Sequence, residues 1–114
     1  MSRISTHILD LVQGRPAKDI AVRLERRGPS GEWQLLASAR TDQDGRCAPL
    51  LDSPQPLGED FYRLTFDTGS YFAAQKLESL YPFVQVTFSV RPGESHFHIP
   101  LLLSPNGYST YRGS

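Results

Sequence analysis

A chain of 114 residues has room for one ordinary hydrophobic core and little for a second. Lys plus Arg and Asp plus Glu each number 12, so the formal net charge is zero and the basic excess that neutralises phosphate in nucleic-acid binders is missing. Apolar residues at 39% and charged residues at 21% suit a globular protein, with no apolar run long enough for a bilayer and no signal-peptide pattern after Met1. A lone cysteine, Cys47, has no intramolecular partner, which points to a reducing compartment, the cytoplasm.

Apolar residues recur mainly with period two. Ser5 to Leu11 is strand-like and carries His7; Gly14-Arg15-Pro16 then marks a turn. From Ile20 to Arg26, Ile20, Val22 and Leu24 point one way while Arg23 and Glu25 point the other, as a half-buried strand requires. Beyond Gly28-Pro29-Ser30-Gly31, Trp33 to Ala39 reads as the next strand, and the Asp44-Gly45 turn leads into a short one with Arg46 and Cys47. Phe61 to Phe66 follows Pro54-Gln55-Pro56. A helix is predicted from about Ser70 to Glu78, capped by Asp67 or Thr68 and ended at the latest by Pro82. Val84 to Val90 alternates again. The last strands, Phe97 to Leu103 and Tyr108 to Arg112, flank Ser104-Pro105-Asn106-Gly107, where Asn-Gly favours the φ > 0 geometry of a hairpin loop. Short strands separated by turn signals predict a sandwich or barrel, not βαβ units. No linker or repeat divides residues 1–114, so one domain is expected.

The first of these closing strands is apolar on both faces. Phe97, Ile99, Leu101 and Leu103 form one face; Pro100 and Leu102 join His96 and His98 on the other. Such a strand is covered on both sides, the second cover being expected from another subunit. Taken singly, each histidine reads as a surface or hydrogen-bonded side chain, Arg46 as a solvated charge beside a turn, and Cys47 as a small buried hydrophobe. The pair His96 and His98 with His7 also invites a zinc reading, a weak one without a carboxylate or cysteine at fixed spacing; Glu94 is nearby but shares that face only if the strand starts that early. The tail Tyr108 to Ser114 would fray if it did not run directly out of a hairpin strand. Composition and spacing leave these alternatives open.

Four stretches in order carry a resemblance: Ser5-Thr6-His7-Ile8-Leu9-Asp10, Gly14-Arg15-Pro16-Ala17, Asp44-Gly45-Arg46, and His98-Ile99-Pro100-Leu101-Leu102-Leu103-Ser104-Pro105. With the tail Tyr111-Arg112-Gly113-Ser114, they resemble the 5-hydroxyisourate hydrolases, the transthyretin-related enzymes of purine breakdown. Phe97 departs from that pattern, standing where a tyrosine is expected between the two histidines, and Asn106 stands where an aromatic is common. The resemblance implies an all-β fold, a transthyretin-like β-sandwich of two four-stranded sheets with one short α-helix. It implies a homotetramer, a dimer of dimers with active sites in interface clefts. The implied reaction is hydrolysis of 5-hydroxyisourate to 2-oxo-4-hydroxy-4-carboxy-5-ureidoimidazoline, with no metal and no cofactor. His7, Arg46, His98 and Ser114 are the implied catalytic set, and Tyr111 joins His7 and Arg46 as a substrate contact. His96 is expected to stand behind the catalytic groups. The competing expectation is a transthyretin-like carrier of small molecules, without catalysis.

Overall fold

A computed structural model describes every residue from Met1 to Ser114. Nine strands and one helix follow in chain order: β1 (Ser2–Asp10), β2 (Arg15–Pro16), β3 (Ala21–Arg27), β4 (Trp33–Arg40), β5 (Arg46–Ser53), β6 (Phe61–Phe66), α1 (Thr68–Ala74), β7 (Val84–Ser89), β8 (His96–Ser104) and β9 (Gly107–Thr110). One sheet runs β4-β3-β6-β7. The other has five strands, β2-β1-β8-β9 with β5 also on β1, and yet is four positions wide. On the edge of β1 away from β8, β5 pairs with Ser2 to His7 and the two-residue β2 takes over at Leu9 and Asp10. The expectation of two four-stranded sheets therefore holds in width, with β2 as the added piece.

Alternation builds the core between the sheets. Ile4 and Ile8 of β1, Val22 and Leu24 of β3, Leu64 and Phe66 of β6, Val84 of β7, and Phe97, Ile99, Leu101 and Leu103 of β8 are all buried there. On the far side of the four-stranded sheet, Arg63 of β6 meets Glu25 of β3 at 2.9 Å and lies 4.2 Å over the Trp33 ring. That pair is satisfied within its own face.

Helix α1 is shorter than predicted. Asp67 caps it, accepting from the Ser70 amide at 3.3 Å, but it ends at Ala74. Lys76 takes a left-handed φ of 59°, and the amides of Lys76 and Leu77 return to the carbonyls of Ala73 and Phe72, a C-terminal closure that stops the helix before Pro82. Thr68 and Phe72 are its buried residues, so further turns would have nothing to cover. The buried carboxylate of Asp10 ties the helix to the β1–β2 hairpin, accepting from the amides of Val12 and Gln13 and from the Tyr71 hydroxyl at 2.7 Å. Burial, then this bond, pushes the Tyr71 phenol up to about 12.

The β8–β9 hairpin closes through Pro105 and Asn106, with Ser104 paired to Gly107. Neither Asn106 nor Gly107 is among the residues with positive φ, so the left-handed loop geometry expected from Asn-Gly is not used. Pro105 instead presets the negative φ of a first turn position, as ordinary turns require. Gly45 does need its freedom: its φ is 74°, and a Cβ there would stand 2.4 Å from the Ile8 carbonyl oxygen. Gly45→Ala should lower unfolding stability by about 2 kcal/mol or more. A urea midpoint unchanged from wild type would show that the turn accommodates a side chain.

Candidate active site

Three strands of the five-stranded sheet carry the candidate groups on its outward face. In β1 the inward Ile4, Thr6 and Ile8 alternate with the outward Ser5, His7 and Leu9. Antiparallel pairing sets His7 opposite Arg46 of β5, and parallel pairing sets Ser5 opposite His98 of β8. Directly opposed side chains start about 5 Å apart and diagonal ones about 7–8 Å apart. His7, Arg46 and His98 thus occupy adjoining positions on one face.

Local chemistry fixes each group. Asp42, at the head of the turn before β5, accepts from the amides of Asp44 and Arg46 at 2.9 and 3.0 Å, while the Gly45 amide bonds the Asp42 carbonyl. The bond from the Arg46 amide is the main reason its carboxyl lies below the usual range; Asp44 adds to it, as do the charges of Arg46 and His7. Arg46 itself is exposed. His98 is half-buried, with Nδ1 2.7 Å from Ser5 Oγ. Burial first, then the nearby His7 and Arg46, hold its imidazole below the ordinary histidine value. The three groups are electrostatic neighbours as well as register neighbours.

The tail bends back onto this face. The Gly113 amide donates to the His98 carbonyl at 2.7 Å, and Arg112 is anchored by Glu94, by the His96 carbonyl at 3.0 Å, and by the Phe97 ring at 4.3 Å. Phe97, where a tyrosine was expected, is buried on the inward face and offers its ring to Arg112. Gly113 also lies against Pro100, where a Cβ would stand 3.3 Å from Cγ. The chain's own tail thereby supplies part of the second cover that the doubly apolar strand required. A cavity of about 320 Å³ lies at the junction, lined by Arg3, Ser5, Ala48, His96, His98 and Ser114 among others. His7 and Arg46 stand in the next row of the face, outside that lining; Tyr111, past the end of β9 and 57% exposed, is outside it too. A larger concavity, about 860 Å³, lies instead between α1 and the β1–β2 hairpin, beside Arg15, Lys18, Arg40 and Tyr71, and includes none of the predicted site residues.

The zinc geometry is not formed. His96 pairs with Arg3, four residues along β1 from His7, about 13 Å at strand rise. No group of three or more His, Cys, Asp or Glu side chains is arranged to share a metal ion. Cys47 points into the core, and burial pushes its thiol up to about 11, so it is no thiolate nucleophile. Ser5 and Asp42 were missed from sequence, and Glu94, weighed there only as a carboxylate near His96, lies before β8 and pairs with Arg112. Ser5 had a signal, sharing the outward face of β1 with His7; Asp42 had one in the Asp42-Gln43-Asp44-Gly45 turn pattern. Replacing Arg46 by Gln should raise the His98 pKa, because removing a cation makes imidazolium less costly, while burial still keeps it below the ordinary value. An NMR titration of the His98 ring checks this; an unmoved midpoint would mean the guanidinium is not felt there.

The model of the HIUase/Transthyretin family matches residues 4–113. A 5-hydroxyisourate hydrolase of Mus musculus is 43% identical over 114 residues, covering 99% of this chain and 96% of that protein. The solved structure of Klebsiella pneumoniae 5-hydroxyisourate hydrolase superposes with a TM-score of 0.85 at 44% identity, covering 100% of both chains. Sea bream transthyretin in complex with thyroxine superposes with a TM-score of 0.90 at 31% identity, covering 97% of this chain and 94% of that one.

Proposed function

From its place in the HIUase/transthyretin family, to which this chain belongs, we propose that residues 1–114 form one transthyretin-like domain that hydrolyses 5-hydroxyisourate. Backbone similarity alone does not separate hydrolase from carrier, since both kinds of relative superpose closely. The observation that carries the reading is the meeting of two imidazoles and one guanidinium on adjoining positions of a single sheet face. A carrier has no need of a proton acceptor beside a cation.

Hydrolysis of a cyclic amide needs three things: a base for the proton of attacking water, a donor for the oxyanion, and a proton for the departing nitrogen. His98 is suited to the first task, being neutral at neutral pH because burial and neighbouring charge disfavour its imidazolium. As water oxygen bonds to the ring carbonyl carbon, His98 takes the water proton and the carbonyl electron pair moves onto oxygen. Arg46 meets that oxyanion, its planar fork matching a carbonyl-rich ring. On collapse the carbon–nitrogen bond breaks and the imidazolium returns its proton to nitrogen. His7, opposite Arg46, helps orient water and substrate. Ser114 lines the cavity beside His98 and offers its hydroxyl there, and the exposed Tyr111 of the tail is the further substrate contact. No step calls for a metal or cofactor.

A homotetramer, a dimer of dimers, completes the reading. Leu11 and Val12, 58% and 60% exposed, extend the outward face beyond the half-buried Leu9 and Leu102, an apolar area suited to a second copy. No helix is long and apolar enough to cross a membrane. The solution mass from light scattering should be four times that of the chain; a monomer at working concentration would refute the assembly.

The decisive assay adds the protein to freshly generated 5-hydroxyisourate and follows its ultraviolet absorbance. Acceleration is expected, and a decay rate equal to the spontaneous one would leave only the carrier. His98→Asn and Arg46→Ala should each lower kcat/KM by about 100-fold or more with the fold intact. Removing Tyr111 to Ser114 should also lower it; full activity in any of these variants would exclude the residues concerned.

A further inference from the structure

We infer that Ser5 and Gly113 are positioning residues that grip the His98 ring from opposite edges and present Nε2 to the cleft as its free lone pair. Nδ1 and Cδ2 are the two ring atoms bonded to Cγ, one on each side. Ser5 Oγ stands 2.7 Å from Nδ1. On the other side Gly113 is so close that a Cβ would lie 2.6 Å from Cδ2. The tail backbone has little room to recede, because the Gly113 amide is bonded to the His98 carbonyl at 2.7 Å. With both inner edges occupied, the edge left open is Cε1 and Nε2, and Nε2 is the ring nitrogen without a partner in the chain. A half-turn of the ring would set a carbon against the Ser5 hydroxyl and lose that bond.

The grip also accommodates the tautomer that the reaction requires. An imidazole acting as a base at Nε2 carries its hydrogen on Nδ1, and Ser5 Oγ is placed to accept it. Glycine at 113 follows from the same geometry: any side chain there pushes the ring off Ser5. This inference rests on the reading of His98 as proton acceptor, but its structural half can be measured without substrate.

Nitrogen-15 chemical shifts of the histidine rings in mildly alkaline solution report the tautomer directly. In the wild-type protein His98 should carry its hydrogen on Nδ1. In Ser5→Ala the two ring nitrogens should move toward the mixed values of free imidazole, and Ser5→Thr, which keeps a hydroxyl, should restore the wild-type pattern. The kcat of Ser5→Ala should drop about 10-fold with KM little changed and recover in Ser5→Thr, as expected for one lost hydrogen bond. Gly113→Ala should show a similar loss with a displaced His98 resonance. Identical ring shifts in wild type and Ser5→Ala, or a wild-type hydrogen on Nε2, would overturn the inference. A tautomer that changes in Ser5→Ala while kcat stays constant would uphold the grip and overturn instead the assignment of His98 as the base.

Discussion

Everything at the site depends on the parallel pairing of β1 with β8, which runs from Arg3 beside His96 to Asp10 beside Leu103. Strand side chains alternate with a period of two, so a slip of one residue would turn His7 and Ser5 inward and expose Ile4 and Ile8. The core resists that slip from both strands, with Ile4 and Ile8 on one and Phe97, Ile99, Leu101 and Leu103 on the other. A buried bond from Thr6 Oγ1 to the Ile99 carbonyl, 2.6 Å long, pins the same register. Hydrophobic burial on one face thereby sets the geometry of polar chemistry on the opposite face.

How much of this could be read in the chain varies with the distance over which each feature is decided. Alternation within β3, β7 and β8 is local, and the buried sets Val22 with Leu24, and Ile99 with Leu101, follow from it. Which strand lies beside which is not local. Nothing in the spacing of His7 and His98 sets β1 against β8; only the resemblance of ordered motifs brought the two together. Ser5 was passed over because a serine in a strand has no chemistry until its partner is known. The helix end was misjudged because Lys76 and Leu77 favour helix intrinsically, whereas the buried stripe had already ended at Phe72. At the β8–β9 turn, Pro105 settled the backbone in place of the Asn-Gly pair.

The tail illustrates how weak sequence signals become firm ones in three dimensions. Taken alone, Arg112 is a terminal charge of the kind that usually wanders. Beside Glu94, the His96 carbonyl and the Phe97 ring it is held by charge, hydrogen bond and ring face together. Glu94 is itself shared with Arg91, and its two guanidinium bonds, Arg112 first, keep its carboxyl below the usual range. Gly113 and Ser114 inherit their placement from that anchor.

The Arg63–Glu25 pair stacked on Trp33 carries a consequence for the whole sandwich. It leaves those two ions with their needs met within the chain. Two copies meeting over that pair would strip hydration from ions whose needs are already met. On the front, Leu11 and Val12 offer hydrocarbon to a neighbour, while the exposed Arg46 is a charge that such a contact has to leave hydrated. A cross-strand ion pair remote from any chemistry thus makes its own patch of the back a poor place for a neighbour to dock.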